Sequence, residues 1–308
     1  MAFDFYFAGS QSPETEQLMR TINSNILRSY LNDRRSIDTL ISYKKDGSWT
    51  GKLLIDSGAF TAHRKDVDIN VDNYIEFLNN NHRYINYAIQ LDHIPGKWGR
   101  PKTVEEIKEA PIKTWDNYLY MRSRLVRPEM LLPVFHMYED FSYLEQILSF
   151  KDNGKPIEYM CISGSKEVTG QQRKDWYSKV FNVIKHSDNP NIKVHCLGSA
   201  TKTDMEDFPF TSSDATSWIM TSSVGDILTP YGTVCVSGNK LCLKDNIVNQ
   251  PVECQLIVKD MCNRYGISYE DLSTSYKARS NFNVMYLTEM SKNTVYKQKR
   301  FRKGGLLK

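Results

Sequence analysis

Short apolar runs recur along the chain, and most are followed by a polar stretch and then by a longer segment with helical periodicity. The predicted strands are residues 3–7, 53–55, 87–91, 131–135, 159–162, 193–196, 208–210 or slightly beyond, and 226–228 or 233–236. The predicted helices are residues 12–31, 71–79, 103–125, 142–151, 171–185 and 252–265. Strands that alternate with helices of this length indicate parallel strands joined by crossover helices. About eight repetitions favour a closed (β/α)8 TIM-type barrel with a C-terminal helical extension over an open sheet.

Polar residues follow five of the predicted strands at the point where each strand ends. They are Asp56 to Gly58, Asp92 with His93, His136, Ser163 with Gly164, and Gly198. The carboxyl ends of parallel strands open onto one face of a barrel, so these groups are expected to converge at one mouth. The alternative for each single end is an ordinary turn or helix N-cap, where Asp, Ser and Gly are common. Five such ends in series favour a functional site.

Charge is unevenly distributed along the 308 residues, of which 40% are hydrophobic and 25% charged, a composition that supports a folded core. Residues 292–308 hold seven Lys and Arg residues and no Asp or Glu. Without them the formal net charge of +4 becomes −3, so a short basic tail supplies the whole excess. The predicted organisation is a barrel over residues 1–240, a helical extension packed on it over 241–291, and a basic tail over 292–308.

Three features of the composition bear on the cellular compartment. No window approaches the ~18 apolar residues of a membrane helix, and the first residues lack the pattern of a secretory signal. Six cysteines are spread thinly along the chain, which is atypical of a secreted disulfide scaffold. We therefore expect a soluble cytoplasmic protein with reduced thiols and no membrane partner.

Two motifs resemble those of a known enzyme family. The segment from Asp56 to Phe60 resembles the Asp-Ser-Gly-Gly-(Phe/Tyr) signature of tRNA-guanine transglycosylases, which are (β/α)8 barrels. The segment from Ser212 to Trp218 resembles the Asp-Ser-x-Ser-Trp variant of the phage and bacterial DNA branch, the DpdA group. The resemblance extends from Phe3 to about Gly238. It implies an enzyme that exchanges guanine in DNA for a 7-deazaguanine base such as 7-cyano-7-deazaguanine, in the host cytoplasm if the gene is carried by a phage.

The resemblance implies a role for two carboxylates. Asp214 is the expected nucleophile, which forms a covalent glycosyl ester with the sugar, and Asp56 is the expected general acid and base. Carboxylates suit both roles because the transition state is oxocarbenium-like. The structural alternatives are a turn carboxylate bonded to the Gly58 N–H in the case of Asp56, and an N-cap of the following segment in the case of Asp214.

The resemblance also implies a base pocket. Asp92 is expected to recognise the guanine N1–H and amino group, and Phe60 to stack on the base, with an ordinary core position as the alternative for Phe60. The other expected pocket residues are Ser57, Gly58, His136, Ser163, Gly164 and Gly198. His93 and His195 are interpreted as structural.

Phosphate groups require basic residues near the same mouth. Lys97, Arg100 and Lys102 surround Trp98 directly after Asp92, and a basic stretch with an aromatic residue is typical of a nucleic-acid groove. In the tail, Lys299, Arg300 and Arg302 are further expected contacts. The alternatives are a solvated loop and an unstructured tail. A base within a duplex must leave the stack before it reacts, so base flipping or local melting is implied.

The chain departs from the family at its zinc site. The family's Cys-x-Cys-x-x-Cys…His pattern has no counterpart here, so no cofactor or metal is expected. A zinc site built from Cys235, Cys242, Cys254 and Cys262 is the alternative. The same departure weakens any inference of the family's dimer and leaves the oligomeric state open. Alternative functions are transglycosylation of tRNA and a non-catalytic nucleic-acid-binding barrel.

Overall fold

The computed structural model of the protein describes residues 3–9, 12–164, 168–198, 201–240 and 243–297. Its strands are β1 Asp4–Phe7, β2 Asn25–Ser29, β3 Leu53–Asp56, β4 Tyr87–Ile89, β5 Leu131–Leu132, β6 Val134–His136, β7 Lys151–Asp152, β8 Lys155–Pro156, β9 Tyr159–Ser163, β10 Lys193–Leu197, β11 Ser212–Ala215, β12 Asp226–Thr229 and β13 Gly232–Cys235. Its helices are α1 Pro13–Thr21, α2 Arg34–Lys45, α3 Ala59–Lys65, α4 Val71–Asn81, α5 Val104–Arg122, α6 Phe141–Ser149, α7 Gly170–Lys185, α8 Lys202–Asp207, α9 Ser217–Ser223, α10 Val252–Tyr265, α11 Tyr269–Thr274 and α12 Tyr276–Asn293.

Nine of the strands form one parallel sheet, in the order β5-β4-β3-β2-β1-β11-β10-β9-β6. The two strands at the ends of this order, β5 and β6, are separated in the chain by Pro133 alone. The Pro133 carbonyl still accepts a hydrogen bond of 2.8 Å from the Cys161 N–H of β9. The sheet therefore curves round into a nearly closed barrel, and the predicted α/β barrel-like architecture is confirmed.

Alternation along each strand sorts the buried side chains into two layers. Phe5 and Phe7 of β1 belong to the large cluster between the sheet and the helices, whereas Tyr6 belongs to a smaller cluster inside the barrel. The other members of the inner cluster are Ala8, Leu27, Leu54, Ile89, Leu132, Val134, Tyr159 and Cys161. Because side chains on one face of a strand recur every second residue, the next inward positions towards the carboxyl ends include Asp56 and His136.

The predicted helix over residues 12–31 is wrong in its second half. Helix α1 ends at Thr21, and Asn23 adopts a left-handed φ of +52° before β2 begins at Asn25. Leu18, Ile22 and Ile26 are spaced four apart, so their periodicity imitates one helical face, although Ile26 lies in the barrel sheet. Tertiary pairing of β2 with β1 and β3 overrides that local pattern.

Two further strand predictions need correction. The strand predicted at 208–210 or slightly beyond lies at Ser212–Ala215, while Phe208 and Phe210 pack against Tyr177 of α7 with ring centroids 5.3 and 5.1 Å apart. The segments 226–228 and 233–236 were alternatives for a barrel strand, but they pair with each other as the antiparallel hairpin β12–β13. The barrel sheet contains β2 instead.

The other predicted helices are present, and their ends follow local sequence signals. Thr103 and Glu106 form a capping box at the start of α5, and Thr169 and Gln172 form one at the start of α7. Gly266, with a φ of +65°, ends α10 in the left-handed conformation that favours glycine. Helices α2, α3, α8 and α9 were not predicted, and α11 and α12 were predicted only in general, as part of the helical extension over 241–291.

The C-terminal helices share a second apolar cluster with the β12–β13 hairpin. Ile227 and Val234 of the hairpin pack with Val258 of α10, Leu272 of α11 and Phe282 of α12. Helix α12 also places Val284 and Leu287 in the large cluster around the barrel. The second cluster thus includes a hairpin that lies within the range predicted for the barrel. Among the described residues, no helix is both long and apolar enough to cross a membrane.

Candidate active site

Three carboxylates meet at the mouth formed by the carboxyl ends of the strands. Asp56 is the last residue of β3, Asp92 follows β4, and Asp214 lies in β11. Burial raises the pKa of Asp56 to about 7, and the negative charges of Asp92 and then of Asp214 act in the same direction. The structure therefore brings together both predicted catalytic residues and the predicted base-recognition carboxylate.

The turn after β3 fixes where Asp56 points. Gly58 has a φ of +89°, and a Cβ at this position would lie 2.6 Å from the Leu31 Cβ, so the turn requires glycine. The Gly58 N–H donates a hydrogen bond to Asp56 that opposes the rise in pKa. The hydroxyl of Ser57 is fully buried and accepts from the Ala59 N–H at 3.3 Å. Ser57 and Gly58 therefore shape the turn, and the Ser57 hydroxyl contacts the start of α3.

Asp214 is held by donors from the neighbouring strand. Its Oδ1 accepts a hydrogen bond of 2.9 Å from the Gly198 N–H and lies 3.2 Å from the His195 Nε2. The N-cap of α9 is Thr216, so the alternative of Asp214 as a helix cap is wrong. Both contacts fall on the same carboxylate oxygen, which fixes the plane of the carboxylate. Gly198 thus touches the predicted nucleophile itself.

A chain of polar side chains extends from Asp214 into the barrel. The His195 Nδ1 contacts the Ser212 Oγ, and the Ser212 Oγ lies 2.5 Å from the Tyr159 hydroxyl. The three residues come from β10, β11 and β9, which are neighbours in the sheet. His195 and Ser212 have no exposed surface. His195 was interpreted as structural from the sequence, and the structure places it against the predicted nucleophile.

On the other side of the mouth, His136 lies between two carboxylates. Its Nε2 is 2.9 Å from the Asp92 Oδ2, and its Nδ1 is 2.8 Å from the Glu139 Oε1. Burial alone lowers the pKa of His136, but hydrogen bonds with Asp92 and Glu139, together with their charges, raise it to about 10. His136 is therefore an imidazolium at neutral pH. It holds Asp92 in place through the Nε2 contact.

Aromatic side chains connect this cluster with the surface. The ring of Tyr138 stacks on His136 with centroids 5.2 Å apart, and the Lys102 Nζ lies 5.5 Å from the centre of the Tyr138 ring. Phe60 is 50% exposed and Trp98 is 57% exposed, and the two rings meet edge to face at 5.8 Å. Phe60 is thus at the surface, and the alternative of a core position is wrong. Exposed aromatic rings beside a polar mouth offer faces on which a base can stack.

The basic loop after Asp92 is only partly available to a ligand. Lys97 and Lys102 are exposed. Arg100 pairs with both carboxylate oxygens of Glu106, at 3.0 Å from Oε2 and closer still to Oε1. That ion pair occupies its guanidinium. The predicted tail contacts Lys299, Arg300 and Arg302 lie outside the described residues.

Ser163 ends β9 beside His136, and Gly164 follows it. Ser163 pairs with His136 across the sheet, and its carbonyl accepts a hydrogen bond of 3.0 Å from the Met137 N–H. A Cβ on Gly164 would lie 3.0 Å from the Arg173 Cδ. The two residues are partly buried, and they lie at the same end of the barrel as the three carboxylates.

The described cysteines do not offer the ligands of a zinc site. Cys235, Cys254 and Cys262 are buried with free thiols, and Cys242 lies outside the described residues. Burial raises the pKa of each of the three described thiols. Across the described ranges, no group of three or more His, Cys, Asp or Glu residues is arranged to hold a metal ion.

The site contains residues that the sequence reasoning missed. Glu139, Ser212 and Tyr159 were not assigned a role, and His195 was assigned a structural one. Strand alternation offered a signal for His195, because Val194 and Cys196 are apolar and their neighbour must face the barrel interior. Comparison of the whole chain with protein-family models gives no match, and comparison with curated proteins gives none either. The chemistry must therefore be inferred from the site itself.

Proposed function

We propose that the protein is a transglycosylase that exchanges guanine in DNA for a 7-deazaguanine base. The observation that carries the proposal is the pair of carboxylates at one barrel mouth with different surroundings. Asp56, with a pKa of about 7, suits proton transfer at neutral pH. The Asp214 Oδ1 accepts from the Gly198 N–H and contacts the His195 Nε2, which leaves Oδ2 for attack on the sugar. In glycosyl transfer, one carboxyl group typically transfers the proton and a second one attacks the sugar.

The exchange proceeds in two balanced steps. In the first, the Asp214 Oδ2 bonds to C1′ of the sugar as the bond from C1′ to guanine breaks, and the leaving purine takes the electron pair and a proton from Asp56. In the second, Asp56 takes the proton of the incoming base, whose nitrogen bonds to C1′ as the ester bond to Asp214 breaks. Asp56 returns to its protonated form for the next turnover.

Recognition of the purine falls to the other side of the mouth. Asp92 accepts the N1–H and the amino group of guanine, which a 7-deazaguanine base shares. The imidazolium of His136 and the Glu139 behind it keep the Asp92 carboxylate in a fixed orientation. Phe60 and Trp98 stack on the extruded base or its neighbours, and Lys97 and Lys102 approach the phosphates.

The proposal includes the finer fold prediction and the choice of substrate. Strands β5 and β6 count as one strand interrupted at Pro133, which makes the sheet a (β/α)8 barrel with α10–α12 as its helical extension. DNA is favoured over tRNA because the segment from Ser212 to Trp218 resembles the DNA branch and the zinc motif is missing. Asp56 and Asp214 together disfavour a non-catalytic barrel.

The test is release of labelled guanine from DNA and from tRNA, with and without added 7-deazaguanine bases. Release from DNA that depends on an added base is the expected result. Asp214→Asn should lose exchange and any trapped covalent adduct, and Asp56→Asn should lose exchange. Asp140→Asn is the matched control, because this exposed carboxylate caps α6, has no contact with the three carboxylates and keeps its cap as an amide. Guanine release from tRNA alone would show that the substrate is tRNA and not DNA. No release from either nucleic acid would reject the proposal.

A further inference from the structure

His195 is a fully buried titratable side chain that the two proposed steps do not use. It lies in the middle of β10, with its Nε2 3.2 Å from the Asp214 Oδ1 and its Nδ1 against the Ser212 Oγ. Its ring and the Tyr6 ring meet edge to face with centroids 5.8 Å apart. A buried imidazole with a partner on each nitrogen has a fixed ring plane. Its surroundings therefore decide which atom it presents to Asp214.

The hydrogen bonds from Tyr159 through Ser212 and His195 to Asp214 give every proton an acceptor only when they all point towards Asp214. If the Tyr159 hydroxyl donates to Ser212 and the Ser212 hydroxyl donates to the His195 Nδ1, then the Nε2–H donates to Asp214. If the hydrogen bonds pointed the other way, the Tyr159 hydroxyl proton would have no acceptor among the described residues. Buried donors without acceptors are costly, so the first direction is favoured.

We infer that His195 is a positioning residue for the Asp214 nucleophile, with its tautomer fixed by Ser212 and Tyr159. The inference rests on the proposed function, because it takes Asp214 as the group that attacks the sugar. The Nε2–H and the Gly198 N–H share Oδ1, so Oδ2 is the oxygen that reaches C1′. A third group that orients a catalytic side chain through a hydrogen bond is a recurrent arrangement in enzymes.

The same hydrogen bond acts again when the intermediate breaks down. As the incoming base bonds to C1′, the electron pair of the ester bond returns to the Asp214 carboxylate. The Nε2–H already points at Oδ1, where part of that charge appears, and it stabilises the leaving carboxylate without reorganisation. His195 contributes to both steps through Asp214, although it touches neither sugar nor base.

The experiment compares kcat and KM of guanine exchange in variants along the chain. His195→Leu removes the donor and should lower kcat about 10- to 100-fold with KM within about twofold. His195→Gln places an amide N–H near the position of Nε2 and should recover most of that loss. Tyr159→Phe keeps the ring and should lower kcat only a few-fold, and Tyr87→Phe is its matched control. The Tyr87 ring packs edge to face on Tyr159 at 5.0 Å, but it lies outside the chain of hydrogen bonds and should leave kcat unchanged.

A second measurement tests the tautomer without any turnover. Nitrogen-15 NMR of histidine-labelled protein should show the His195 Nε2 carrying the proton and Nδ1 as an acceptor, and Ser212→Ala should remove this preference. Unchanged kcat in His195→Leu, or a proton on Nδ1 in the wild type, would overturn the inference. So would equal losses in His195→Leu and His195→Gln. Absence of exchange by the wild type with the expected tautomer present would instead reject the proposed function.

Discussion

The two sides of the barrel mouth each pair a carboxylate with a histidine, but the second nitrogen of each histidine has a different partner. On the Asp92 side, the far nitrogen of His136 contacts the carboxylate of Glu139. On the Asp214 side, the far nitrogen of His195 contacts the Ser212 hydroxyl. Two carboxylates around one ring favour the imidazolium, whereas a hydroxyl accepts or donates as its neighbours require.

This difference assigns different tasks to similar pairs. The imidazolium of His136 neutralises negative charge on both sides of its ring, and in the proposed function it makes Asp92 a rigid acceptor for a purine edge. In the tautomer that we infer, His195 donates one hydrogen bond to Asp214, the carboxylate that gains and loses charge in the proposed reaction. The second carboxylate behind His136 therefore favours a fixed cation, whereas the hydroxyl behind His195 bears on which ring nitrogen carries a proton.

The largest expected effect comes from removing the cation. His136→Gln leaves Asp92 and Glu139 buried without their shared counter-charge and should lower the free energy of unfolding by about 3–5 kcal/mol. His195→Gln keeps an N–H for Asp214 but loses the contact with the Ser212 hydroxyl, and in this less charged cluster the loss should cost ~1–2 kcal/mol. Urea denaturation of both variants at pH 7 measures the difference. Equal losses would contradict the comparison.

The pH dependence of stability should also differ. The folded protein raises the pKa of His136 from 6.5 to about 10, so its contribution to stability is complete below pH 6.5 and is lost as the pH rises through 10. The free energy of unfolding should fall by up to ~1.4 kcal/mol per pH unit within this window. Denaturation at pH 7, 8.5 and 10 tests this, and His136→Gln should lose that slope while His195→Gln retains it.

The pKa of Asp56 depends on both sides of the mouth, because the charges of Asp92 and Asp214 both raise it. Asp92→Asn removes the larger of these two charge effects and should lower the pKa of Asp56 from about 7 more than Asp214→Asn does. Carbon-13 NMR titration of the Asp56 carboxyl measures the shift. A larger decrease in Asp214→Asn would place Asp56 closer to the nucleophile side than the structure indicates.

The smallest effect concerns the basic loop that follows Asp92. Lys97→Ala should reduce the salt dependence of DNA binding by about one unit of slope in a log–log plot, because one phosphate contact is lost. Arg100→Ala should change the slope less, since its guanidinium is paired with Glu106. Fluorescence anisotropy at several salt concentrations tests both variants. Equal slopes in the two variants would show that the ion pair with Glu106 does not keep the Arg100 guanidinium from contacting a phosphate.

The alternation of predicted strands with predicted helices was sufficient to predict the barrel-like architecture. Two strands of the barrel, β2 and β11, were nevertheless not predicted correctly. Strand β2 was hidden because Leu18, Ile22 and Ile26 imitate a helical face. Strand β11 has the sequence Ser-Ser-Asp-Ala and is buried throughout, although three of its four residues are polar. An apolar run is the usual sign of a buried strand, and β11 lacks one because its inward side chains take part in hydrogen bonds inside the barrel.

Candidate site residues could be predicted where the residues at a single strand end form a recognisable motif. The Asp-Ser-Gly turn and the motif around Asp214 identified two carboxylates, and Asp92 followed from its place after β4. The contacts of Asp92 and Asp214 could not be predicted, because His136 and His195 reach them from other strands. Glu139, Ser212 and Tyr159 act one step further away, since they contact those histidines or each other. Their chemistry depends on the closure of the sheet.

The sequence by itself determined which residue types stand at the carboxyl ends of the strands, since hydrophobic alternation and turn residues act over a few neighbouring positions. Only the tertiary structure decided which of them meet, which hydrogen bonds they form and how their pKa values change. Asp56 and Asp214 are 158 positions apart in the chain, and the charge of one raises the pKa of the other only because the barrel brings their strands to one mouth. Coulomb interactions depend on distance in space, and that distance is set by the fold.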